Sequence, residues 1–342
     1  MYAAELVEIA LTTLKCSQKE LALRLGVSPT QVTKWKNGEH MSSEMEKRLR
    51  ELSKIGDADP SLVVWAGSPR AAKQWREVIK YLADMANEGG ETGYNTAPLS
   101  DAAGDEMTLD ILCGQTVLTL NDMGVAPPKA FPTDLKNALA DEEPYELFDE
   151  HPLANLIGKI YSAYTDVYGF YVAYVDELLE DDDGNPIDGF DDIEPCLLSL
   201  AASKLEIAQP DVEVRRDIKV GLAFAPNFLE FKRKTEKDYK RWMTKLKNRA
   251  IRTGAPLRAE IMDMVYDSHD SLGHKAEAEA LGFNNSNLHP DMYMNELITG
   301  MRMIHQILPK ILDKLDIKFT PDMARLRADE ARWQSTQEAD ED

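Results

Sequence analysis

The chain has 342 residues, 43 % of them apolar, and a formal net charge of −21. That length accommodates two or more domains with a sizeable core, and the acidity excludes a protein that coats nucleic acid without regard to sequence. No apolar run approaches the ~20 residues of a membrane helix, and no secretory leader pattern opens the chain. Cys16, Cys113 and Cys196 lack the spacing of a disulfide framework or a zinc site. The expectation is a soluble, cytoplasmic protein whose cysteines are small buried hydrophobes.

Residues 2–14 read as a helix with Leu6, Ile9, Ala10 and Leu14 on one face. The next stretch, from Ser17 to Gly38, reads as two short helices joined by a tight turn. Ser17 followed three residues later by Glu20 is a capping box, and Leu21, Ala22 and Leu25 give the first helix its apolar face. Gly26 stands where the chain reverses and left-handed backbone angles are needed. Ser28 then offers a second N-cap oxygen, with Pro29 at the first helical position. Val32 and Trp35 turn inward, while Thr30, Gln31, Thr33, Lys34 and Lys36 are left for solvent or a ligand. Asn37-Gly38 ends the helix. Two short helices approach closely only over a small facing residue, which Ala22 supplies.

This pattern resembles the DNA-binding domain of the lambda-repressor and Cro-like helix-turn-helix regulators. The matching positions are Gln18, Leu21-Ala22, Leu25-Gly26-Val27-Ser28, Val32, Trp35 and Asn37-Gly38. The resemblance covers residues 1–56. It implies that the second of the two helices enters the major groove and reads base edges with its N-terminal residues. Carried over, Pro29, Thr30, Thr33 and Lys34 take base-facing positions; Gln18, Gln31 and Asn37 take phosphate-facing ones, and Ser28 and Lys36 complete the surface. Proline at 29 removes an amide side chain that many relatives use, so direct readout rests on Thr30, Thr33 and Lys34. Threonine suits a thymine methyl and lysine suits guanine acceptors. The bland alternative is a helical domain of the same shape that binds protein instead. Residues 1–56 hold nine Lys/Arg against seven Asp/Glu, a net +2 that leaves −23 on the rest of the chain. A mildly positive head on an acidic body fits a site-specific regulator, because non-specific affinity scales with phosphate contacts.

Ser42 or Ser43 caps a helix to about Ile55, and Gly56-Asp57-Ala58-Asp59-Pro60 reads as a linker, with residues 57–68 between the head and a helical domain over 69–328. The overall expectation is all-α, a small helix-turn-helix domain followed by a large bundle-like one. Ala66-Gly67 is read as a turn, since strand alternation is too scarce for the β-rich self-cleaving domain some lambda-repressor relatives carry. Pro69 to Glu88 is helical, Gly89–Asp105 is a loop, Met107–Met123 is a strongly apolar helix, and Thr133 caps a short helix to Leu139. The longest pattern, Pro152–Leu179, is apolar on more than one side, which marks a central bundle helix or a dimer interface. Its tyrosines are read as core, with a ligand pocket as the alternative.

Asp181–Asp192 lacks the glycine at the sixth position of a calcium loop, where Pro186 stands, and is read as a solvated acidic turn. Residues 211–220 offer a short strand or an irregular turn. From Lys232 to Arg252 there are ten Lys/Arg and two acids, with Phe231, Tyr239, Trp242 and Leu246 on one face. Two uses are open for this basic amphipathic helix: Lys232, Arg233, Lys240, Arg241 and Lys245 can contact nucleic acid, or dock an acidic surface of the chain or a partner subunit. His269 and His274, five apart, do not share a helical face, so they are read as surface histidines and no metal is expected. Met294, Leu297, Met301, Ile304, Leu308, Ile311 and Leu315 form a heptad seam, a candidate dimer element that Pro309 is expected to kink. Asp329–Asp342 reads as an acidic disordered tail.

The expectation for function is a sequence-specific DNA-binding transcriptional regulator of bacterial or phage type, a repressor, that binds double-stranded DNA as a homodimer through residues 28–36. The alternative is an antitoxin, phage or phage-defence interaction protein whose acidic helical body binds a protein partner. No phosphate-cradling glycine loop, nucleophile elbow, HExxH or paired-cysteine pattern is present, so neither catalysis nor a cofactor is expected.

Overall fold

The computed structural model describes residues 3–56, 58–128, 130–141, 145–179, 193, 196–206, 223–284 and 287–317. The acidic run 181–192, the segment 211–220 and the tail 329–342 lie outside the described residues. Among those described there are helices and no β-strand, so the chain is all-α. The compact units are Met1–Arg249 with Arg258–Asn287, and Ala250–Leu257 with Leu288–Asp342. The larger unit therefore takes in the N-terminal helices and most of the region read as the helical domain.

The N-terminal helices are α1 (Ala3–Leu14), α2 (Gln18–Leu25), α3 (Pro29–Lys36) and α4 (Ser43–Ser53). Their shared core is Leu6, Val7 and Ala10 from α1, Leu21, Ala22 and Leu25 from α2, Val32 and Trp35 from α3, and Leu49 from α4. The stretch read as a linker carries α5 (Pro60–Ala66), whose Leu62, Val63 and Trp65 are buried. The same residues that suggest a linker build this helix. The Asp59 carboxylate accepts the Leu62 N–H at 2.9 Å, Pro60 fills the first helical position, and Gly67 ends the helix at φ +77°. Helix α5 packs on α1 and on the next helix, so the connection is part of the core.

Beyond it come α6 (Pro69–Glu88), α7 (Ala97–Ser100), α8 (Glu106–Asp122), α9 (Thr133–Ala138) and α10 (Tyr145–Glu150). The Gly89–Asp105 loop thus holds a helical turn, pinned by the fully buried Leu99 and Ala102. Pro132 occupies the N-cap of α9, and Thr133 is its first residue without a capping bond. Trp65 and Trp75 meet edge to face at 5.2 Å, and Phe131 closes on Trp75 at 5.3 Å. Arg76 clamps α6 to α8 through Glu106 at 2.5 Å and Asp110 at 2.9 Å.

Helix α11 (Pro152–Tyr174) is the centre of this unit. Leu153, Ile157, Ile160, Tyr164, Val167 and Tyr171 are buried on one side, and Tyr161, Tyr168, Phe170 and Tyr174 on others. It packs against α6, α10, α12 (Leu197–Ser203) and α15 (His269–Ala280), which is why apolar residues surround it. The tyrosines are core: the Tyr161 hydroxyl lies 2.6 Å from Thr116 Oγ1, whose own proton goes to the Leu112 carbonyl at 2.7 Å. Helix α13 (Phe228–Thr253) buries Phe231, Thr235, Tyr239, Met243 and Leu246, with α14 (Asp263–Tyr266) preceding α15 in the chain. In the smaller unit α16 (Pro290–Lys314) runs unbroken through Pro309. Of the three cysteines Cys113 is buried, Cys16 half-buried and Cys196 exposed, so the expectation of buried thiols holds only for Cys113 in full.

Candidate nucleic-acid interface

The geometry of the head follows from its caps. The Ser17 hydroxyl accepts the Glu20 N–H at 3.3 Å while the Glu20 carboxylate accepts the Ser17 N–H at 2.7 Å, the reciprocal pair that opens α2. This bonding to the charged form lowers the Glu20 pKa. Gly26 sits at φ +71°, ψ +29°, so the chain leaves α2 through a left-handed residue and turns sharply into α3. Ser28 Oγ then accepts the Gln31 N–H at 3.1 Å. With caps at both ends of the turn, the angle between the helices is fixed by local chemistry and by the Val32 and Trp35 anchors.

That anchoring leaves the outer face of α3 open. Thr30, Thr33, Lys34 and Lys36 are exposed, as are Ser28, Pro29 and Asn37; Gln18 and Gln31 are half-buried. Thr33 donates its hydroxyl to the Pro29 carbonyl at 3.1 Å, which spends its proton inside the helix and keeps its methyl and its lone pairs for a neighbour. Lys34 pairs with Glu39 at 3.3 Å, both side chains half exposed. Glu39 is a neighbour that the sequence pattern did not single out. An exposed pair of this kind is worth at most about 1 kcal/mol, so a stronger acceptor can draw Lys34 away. Leu23, 82 % exposed on α2, is a second feature missed by a reading that looked for buried leucines.

The accessory candidates on α13 are Lys232, Arg233, Lys240, Arg241 and Lys245. Arg233, Lys240, Arg241 and Lys245 are exposed and Lys232 is half-buried, opposite the buried Phe231–Tyr239–Leu246 stripe. Trp242 is half-buried at the stripe's edge. Part of the charge is met locally: Lys232 reaches Glu236 at 3.8 Å, Arg241 reaches Asp238 at 3.2 Å, and Lys240 lies over the Tyr266 ring at 5.6 Å. The seam candidates Leu297, Met301, Ile304, Leu308 and Ile311 are all exposed on α16.

One histidine departs from the surface reading. His269 is half-buried, with Nδ1 2.9 Å from Asp166 Oδ2 and 3.0 Å from Asp270 Oδ1, because the start of α15 packs on α11. The bond to Asp166 raises its pKa against the opposing effect of burial. These three side chains are close enough to share a cation, and His269 Nδ1 itself lies within reach of both carboxylates. His274 is exposed. Further along α15, Glu279 is held by Arg258, from the segment before α14, through two bonds of 2.6 and 2.8 Å, and the guanidinium lies 4.4 Å from the Tyr174 ring centre.

Residues 8–46 match the helix-turn-helix family model, of the lambda-repressor-like kind. The match covers the turn, both caps and α3, and supports DNA binding by this head. No curated protein and no solved structure matches the chain. Among the described residues no helix is long and apolar enough to cross a membrane.

Proposed function

We propose that this helix-turn-helix head serves a sequence-specific transcriptional regulator, a repressor that occupies its site as a dimer through residues 28–36. The observation that carries the reading is the capped, exposed face of α3. Thr30, Thr33 and Lys34 lie exposed at the helix's outer side, Lys34 in its surface pair with Glu39, while Val32 and Trp35 fix it from behind. Such a face presents two methyl-bearing contacts and one cation to base edges, with Gln18, Gln31, Lys36 and Asn37 placed for phosphates. One helix contacts only a few base pairs, so useful selectivity calls for two heads on half-sites about one DNA turn apart. The body, at −23, repels DNA and suppresses binding elsewhere.

Genome-wide footprinting of the full chain at physiological salt tests this. Discrete sites with paired half-sites about 10 base pairs apart, or a multiple of that, are expected. Binding spread without discrete sites would sink the proposal. The second reading, a protein-interaction factor with the head used for autoregulation, is favoured by the basic exposed face of α13 and the apolar face of α16. Its signature is a stoichiometric protein partner that co-purifies with the full chain.

A further inference from the structure

Helix α16 has its side chains arranged for an assembly of four copies, and we infer that this chain forms a homotetramer through it. Within its own unit the helix leaves its seam unpacked: the seam residues are 45–62 % exposed, and Met292 is the buried residue of the helix. The apolar surface presented is on the order of 1,000 Å² per chain, against the few hundred Å² typical of monomers and ~800 Å² per partner in stable associations. An area of that size, repeated at heptad spacing, fits other copies of the same helix.

The seam's chemistry sets how many. Reading the three-four spacing as a heptad places Met294, Met301, Leu308 and Leu315 at a, and Leu297, Ile304 and Ile311 at d. Two-stranded coils favour β-branched residues at a and leucine at d; leucine at a with isoleucine at d shifts the preference to three or four strands. Here no a position is β-branched, and the second half of the helix follows the Leu-a, Ile-d order throughout.

The flanks agree. In a two-stranded coil the e and g positions carry charges. In α16 Ile298 and Leu312 stand at e with His305 between them, and Tyr293 and Ile307 at g with Gly300 between them, so four of these flanking positions widen the apolar face toward a second neighbour. Most charged and polar residues keep to the outer positions, where Asn295, Glu296, Thr299, Arg302, Gln306, Lys310 and Asp313 fall, with His305 at e and Lys314 at g as the two exceptions. Pro309 is at b, on that outer side, and the helix continues past it to Lys314. The choice of four strands over three rests on the paired heads of the proposed regulator, since two dimers make four. A tetramer then presents two pairs of heads and can hold two sites at once.

The test is light-scattering mass of the full chain without DNA, at tens of micromolar, so it is independent of whether the head binds an operator. The wild type is expected at four times the chain mass. A variant with M301I, I304L, L308I and I311L carries the two-stranded order at the same volume and is expected at twice the chain mass with unchanged circular dichroism. An I304K/L308K variant is expected to lose the tetramer. A wild-type mass of one, two or three chains overturns the inference. So does a tetramer that survives both sets of substitutions, because the contact would then lie elsewhere.

Discussion

Gly26 offers the cleanest perturbation of the head. Its backbone is left-handed, and a Cβ built there meets nothing within 4 Å. Gly26→Ala therefore introduces no clash with a neighbour, and its effect is the backbone strain of an L-residue in that region, about 1–2 kcal/mol. The helices on either side are only eight residues each, so they have little local stability with which to absorb it. The loss falls on the opening equilibrium of the α2–α3 pair. At ~1.4 kcal/mol per factor of ten, amides of Val32 and Trp35 should exchange with deuterium about five- to thirtyfold faster in the variant. Gly26→Asn should recover part of the protection, since asparagine tolerates left-handed angles better. Exchange measured by mass spectrometry on the intact chain reads this directly, and peptides from α11 serve as the internal reference. Protection unchanged in Gly26→Ala would refute the turn geometry. A loss far above thirtyfold would show that packing, not backbone strain, governs this position.

Three further outcomes are expected. Because the folded pKa of His269 is raised, its pairing with Asp166 adds stability below its unfolded value of about 6.5 and loses it as pH rises through the folded value; urea midpoints of wild type and H269Q should differ at pH 5.5 and converge by pH 9, and parallel profiles would contradict this. Arg258→Lys forfeits the two-bond grip on Glu279 and the contact with Tyr174, a loss of about 1 kcal/mol after solvent screening, visible as several-fold faster exchange at the end of α15 and absent if the pair is ornamental. Trp75→Ala empties a fully buried site between Trp65 and Phe131 and should lower stability by about 3–5 kcal/mol in denaturant titration, whereas a change under 1 kcal/mol would mean the aromatic cluster is not structural.

The head was legible because its signals are local. Ser17–Glu20, Gly26, Ser28-Pro29 and Asn37-Gly38 each act within four residues, and chain order alone reveals them. The centrality of α11 was legible for a related reason: apolar residues on every side leave a helix nowhere to go but the middle. Asp59-Pro60 was ambiguous, since the pair opens a helix as readily as it marks a linker, and the buried Leu62 and Trp65 decide between them. The turn of helix at Ala97–Ser100 was hidden in a Gly-rich stretch whose one strong signal, Leu99, is a single residue. His269 and Asp166 stand 103 residues apart. Nothing in the spacing of either announces the other, and the packing of α15 on α11 makes the pair. The same holds for Lys34 and Glu39, where the pattern offered the lysine as a candidate contact and omitted the acid beside it.

The most direct measurement compares the full chain with a Thr30→Ala/Lys34→Ala double variant on a footprinted site, by fluorescence anisotropy at physiological salt. Both side chains are exposed, so the fold should be unchanged. At about 1–3 kcal/mol per base contact, affinity for the site should fall at least tenfold while binding to random duplex changes far less. Equal affinity of the two proteins for the site would contradict a reading helix at residues 28–36.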